Sequence, residues 1–79
     1  MTLTEIYANI RHALDTSPRK GWTAEMHLQI IKYAEALANV SGREFCEGVG
    51  INDSYGSEFN KMVRIAPRLR AAGLDPEKI

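Results

Sequence analysis

One cysteine in 79 residues cannot close an internal disulfide, and Cys46 with His12 and His27 shows no metal-ligand spacing. No apolar run approaches the ~20 residues of a membrane span. No basic-then-apolar segment opens the chain, so a cytoplasmic protein without membrane attachment is expected. Alternation with period two is missing over any useful length, which removes the main signal for strands. There is no acid–base pair, nucleophile motif or phosphate-cradling glycine loop, so the expectation is a protein that is not an enzyme and holds neither cofactor nor metal. No sign of charge dominates either: 10 Lys and Arg balance 10 Asp and Glu. Neutrality argues against strong sequence-independent attraction to nucleic acid, but it leaves room for a local basic patch.

What is present is helical periodicity. A hydrophobic share of 44% with 25% charged residues is ordinary for a globular domain. The length suits one helical domain over residues 1–79, burying about 60% of its unfolded surface. Leu3, Ile6, Tyr7, Ile10, Ala13 and Leu14 draw one apolar stripe, and Thr2 with Glu5 has capping-box spacing, predicting a helix over about 3–15. Pro18 and Gly21 make the following stretch a loop, and Thr23 is expected to cap a second helix. Its stripe of Met26, Ile30, Tyr33, Ala34 and Leu37, widened by Leu28, Ile31 and Ala38, predicts a central helix contacted on several sides.

Ser41 and Glu44 repeat the capping-box spacing and open a short third helix ending at Gly48 to Gly50. The run Asn52-Asp53-Ser54 offers N-caps for a fourth helix through Phe59 and Met62. Pro67 predicts a break or kink at Ile65 to Ala66 and a separate short helix over 67–72, stopped by Gly73, with Asp75 and Pro76 starting a last turn. The fold class is therefore all-α, a compact domain of four to five helices.

Residues 43–59 combine a small residue (Cys46), a turn glycine (Gly50) and apolar positions at Phe45, Val49, Ile51 and Phe59. Two short helices crossing at roughly 90–120° require this order: small bulk at the approach, glycine at the turn, apolar facing sides. Residues 42–61 resemble the helix-turn-helix segment of small bacterial and phage transcriptional regulators, these six residues falling on the family's packing positions. The rest of the chain is loosely similar to bacterial proteins described only as helix-turn-helix-like. Gly56 departs from the pattern, standing where the family usually carries a buried aliphatic residue. Either the second helix packs unusually close there or it starts later.

The resemblance implies a helix-turn-helix unit at about 42–64 with a recognition helix at about 52–64. Asn52, Ser54, Tyr55, Ser57 and Asn60 would then face DNA bases or phosphates. Lys61, Arg64 and Arg68 are spaced to share a face if the helix survives Pro67, and are the expected phosphate contacts; Arg70 belongs to the same cationic stretch, and Arg19 with Lys20 forms another candidate. Asp53 and Glu58 oppose phosphate approach. Each residue also has a plainer reading: Cys46 as packing bulk, His12 as a solvated side chain, Trp22 as a lid on the core edge, and the basic stripe as the wet face of a helix. Two functions fit. One is a DNA-binding transcriptional regulator of double-stranded DNA, pairing as a homodimer because one short helix reads few base pairs. The other is a helix-turn-helix-shaped protein-protein interaction module, an anti-activator or adaptor that does not bind DNA.

Overall fold

In the computed structural model, which describes residues 1–79, the chain holds four α-helices, three 3-10 turns and no strand. Helix α1 spans Leu3–Thr16 and opens on a complete capping box. The Glu5 amide donates to the Thr2 hydroxyl at 3.2 Å, and the Thr2 amide donates to the Glu5 carboxylate at 3.1 Å. Donation from the Thr2 backbone, then from its hydroxyl, holds the Glu5 carboxyl below its ordinary pKa.

Helix α2 spans Trp22–Lys32, and its start differs from the expected Thr23 cap. A 3-10 turn over Arg19–Gly21, closed by the Gly21 amide on the Pro18 carbonyl at 2.8 Å, feeds directly into the helix. Thr23 therefore lies inside the first turn, exposed. The regular helix also stops at Lys32, earlier than the apolar stripe implies. Residues 33–39 continue as irregular turns; the Leu37 amide still reaches the Tyr33 carbonyl at 3.0 Å, so the winding persists. Ala34 and Leu37 accordingly stay buried, whereas Leu28 and Ala38 are exposed and do not widen the core face.

Helix α3 spans Gly42–Val49 and helix α4 spans Gly56–Ala71. The expected break before Pro67 does not occur: α4 runs through the proline without interruption, and there is no separate fifth α-helix. Pro67 leaves the Val63 carbonyl without its helical donor. Packing on both sides of that gap holds the helix together, since Ala66 is buried against Ile31 and Ala34, and Met62 and Val63 rest on the core. Gly73, at φ 111°, ends the helix, with the Leu74 amide on the Leu69 carbonyl and the Gly73 amide on the Arg70 carbonyl, both at 3.0 Å. A 3-10 turn over Pro76–Lys78, capped by Asp75, closes the chain.

The core gathers Ile6, Ile10 and Leu14 of α1, Met26 and Ile30 of α2, and Leu37 around the aromatic pair Phe45 and Phe59. Those two rings stack at 4.5 Å with 26° between planes, and Tyr7 meets Phe45 edge-on at 6.2 Å. Ile51 is half-buried against the same cluster, so the apolar order of residues 45–59 is used as packing. No helix is long and apolar enough to cross a membrane.

Candidate nucleic-acid interface

The α3-turn-α4 unit is built by local chemistry. Ser41 and Glu44 form the capping box, the Glu44 amide donating to the Ser41 hydroxyl at 3.1 Å and the Ser41 amide to the Glu44 carboxylate at 3.3 Å. Gly50, at φ 85° and ψ 40°, takes the left-handed conformation that a side chain would resist. Its amide and that of Ile51 both reach the Cys46 carbonyl at 2.9 Å, closing α3.

The chain does not enter α4 at residue 52. The Asn52 side-chain oxygen accepts from the Ser54 amide at 2.9 Å, nucleating a 3-10 turn over Asp53–Tyr55, and the α-helix begins at Gly56. The expected recognition helix over 52–64 is thus a 3-10 turn followed by the first half of a longer helix. Both readings of Gly56 apply at once: the helix starts late, and Gly56 lies against Gly42 so closely that a β-carbon on Gly42 would stand 2.8 Å from the Gly56 carbonyl oxygen.

With about 3.6 residues per turn, Ser57, Asn60, Lys61, Arg64 and Arg68 fall within an arc of roughly 100° on α4. All five are exposed, opposite the buried Phe59 and Ala66. Continuity through Pro67 is what keeps Arg68 on this face. Asn52 and Ser54 are exposed on the turn before it. Tyr55 is half-buried, its ring 5.3 Å from that of Trp22, so the two aromatics cover the core edge together.

Three other cations are matched to carboxylates: Arg11 to Asp15 at 2.7 Å, Arg43 to Glu47 at 3.2 Å, and Arg70 to Glu35. Arg70, counted with the basic stretch in the sequence, stands two positions and about 200° around α4 from Arg68, on the other side of the helix. Lys61, Arg64 and Arg68 make no ion pair. Glu58 lies 3.7 Å from His27 Nε2 on α2, an ion pair only when the imidazole is protonated, and is a third exposed. Asp53 remains exposed on the 3-10 turn, and Arg19 and Lys20 are exposed on the first one. Cys46 is fully buried; burial first, and the Asp53 charge second, push its thiol pKa up, the opposite of what a nucleophile needs.

Residues 2–72 match the family model of the HTH-like domain, a match that takes in all four helices. The chain belongs to that family. No curated protein and no solved structure matches it. In this HTH-like domain α1 and α2 form the support on which the α3-turn-α4 unit rests. Sequence periodicity missed one feature of α4: Ile65 and Leu69 are apolar yet exposed. Their four-residue spacing, displaced around the helix from Phe59 and Ala66, was the available signal.

Proposed function

We propose that this HTH-like domain is a small cytoplasmic DNA-binding regulator of transcription, folded as one domain over residues 1–79, that lays the exposed face of α4 in a major groove. The observation that supports this best is the concentration of unpaired Lys61, Arg64 and Arg68 on the face that carries Ser57 and Asn60. Free cations bind phosphates and release counterions, while the hydroxyl and carboxamide groups can address base edges. Asn52 and Ser54, on the turn, contact the backbone or the first base. Tyr55 reaches DNA through its hydroxyl alone, since its ring is held by Trp22. Two copies read two half-sites, because a single helix contacts few base pairs.

Fluorescence anisotropy with mixed-sequence duplex at several salt concentrations tests the proposal. Replacing Lys61, Arg64 or Arg68 with Ala weakens binding similarly across sequences, and each lowers the salt slope by about 1. Unchanged affinity in all three variants would show that the face is merely hydrated. The competing function, an interaction module that never meets DNA, is favoured by exposed Asp53 and by the chain's neutrality. It requires that the wild type bind no duplex even at low salt, and that Asp53→Asn with Glu58→Gln leave this unchanged.

A further inference from the structure

A second apolar line runs along α4 beside the one that faces the core. Met62, Ile65, Leu69 and Ala72 are spaced by three, four and three residues, the a-d-a-d order of a coiled-coil seam. Met62 is half-buried, but Ile65 and Leu69 are 43% and 36% exposed. With Arg64, Arg68 and Ala72 they line a shallow open depression. In heptad terms Lys61 and Arg68 occupy the g flank of this seam, and Ala66 occupies the e flank. Ala66 is buried in the protein's own core, so a partner helix can approach only from the cationic side. No carboxylate satisfies that flank from within the fold: the one acid of α4, Glu58, is turned to His27.

We infer that the Met62–Ala72 seam docks an acidic amphipathic helix of a partner protein, its apolar residues at heptad spacing and its carboxylates against Lys61 and Arg68. Charge decides between this occupant and a second copy of the chain. Antiparallel pairing of two α4 helices would set Lys61 and Arg68 against their own kind, and parallel pairing would need the buried Ala66 flank. Docking stands whether or not α4 reads DNA. Its consequence, that the partner helix displaces duplex by occupying the same cations, rests on the DNA-binding reading.

The probe is a synthetic three-heptad peptide with Leu at a and d and Glu at e and g, whose like charges keep it from pairing with itself; a second peptide carries Lys at e and g. Each is titrated into the full chain with amide chemical shifts as readout. The acidic peptide is expected to bind on the order of tenfold more tightly than the basic one, with shifts centred on Ile65, Leu69 and Ala72. Ile65→Ser with Leu69→Ser, both at exposed positions, abolishes binding while helicity by circular dichroism is retained. Lys61→Glu with Arg68→Glu transfers the preference to the basic peptide, a reversal that misfolding cannot produce. Equal binding of both peptides, shifts centred on another surface, or no transfer on charge reversal would overturn the inference. Duplex competition is scored separately: peptide binding without displacement keeps the docking surface and removes the competition. Loss of duplex affinity in the Ile65→Ser, Leu69→Ser variant, with peptide affinity unchanged, would assign the seam to nucleic acid instead.

Discussion

Gly42 and Gly56, the first residues of α3 and α4, meet backbone to backbone, and the contact is asymmetric. A β-carbon on Gly42 would lie 2.8 Å from the Gly56 carbonyl oxygen and 2.9 Å from its α-carbon, whereas one on Gly56 would come no closer than 3.5 Å to Gly42. Gly42→Ala should therefore force the two helix starts apart and cost on the order of 1–3 kcal/mol. Gly56→Ala, at φ −59° and ψ −36°, meets only ordinary contacts and should be neutral or stabilising by up to about 1 kcal/mol. Urea unfolding of both variants checks the asymmetry; equal destabilisation would mean that the two residues do not meet in this way.

Phe59 carries the helix-turn-helix packing, being 1% exposed and stacked on Phe45. Phe59→Ala should cost on the order of 3–5 kcal/mol. A loss well below 1 kcal/mol in denaturant titration would contradict the core described above.

Pro67 lies on the exposed side of α4 and withholds a donor from the Val63 carbonyl. Pro67→Ala should stabilise, by on the order of 1 kcal/mol and by less than the ~3 kcal/mol of intrinsic propensity, because the unfolded chain gains freedom as well. The check is the unfolding midpoint together with amide exchange in residues 63–67. A destabilised variant would show that the ring's contacts outweigh the missing hydrogen bond.

Cys46 should be inert in the folded protein. Its raised pKa means that the stability tied to the neutral thiol is fully present below the ordinary thiol value and is lost as pH rises through the folded one. Thiol labelling at mildly alkaline pH should be slow in the native state, fast in denaturant, and in between should track the unfolded fraction. Rapid labelling of folded protein would show that the thiol is accessible.

The readable parts of this fold are those in which neighbours in sequence decide the outcome. The capping pairs Thr2 with Glu5 and Ser41 with Glu44, the left-handed Gly50, and the core order Phe45, Val49, Phe59 were all evident from spacing. What sequence could not disclose depends on distant partners. The proline rule predicts a break at Pro67, but burial of Ala66 against Ile31 and Ala34 overrides it. No glycine or proline marks the end of α2 at Lys32, so the apolar stripe alone extends the helix too far. The fold also brings Glu35, thirty-five positions earlier, to Arg70 and sets His27 of α2 beside Glu58. Charge counts along a sequence cannot foresee either pairing.

The uneven distribution of charge has a mechanical consequence. Helix α4 carries Lys61, Arg64, Arg68 and Arg70 against Glu58, a net of +3, so the rest of the neutral chain carries −3. Such a body feels a torque in an external field but little net pull. A charged surface should first turn the molecule and only then hold it. At about 0.1 M salt the screening length is about 10 Å, short beside a protein 24–30 Å across. Once α4 is presented, only the charges within about that length of the surface still act on it.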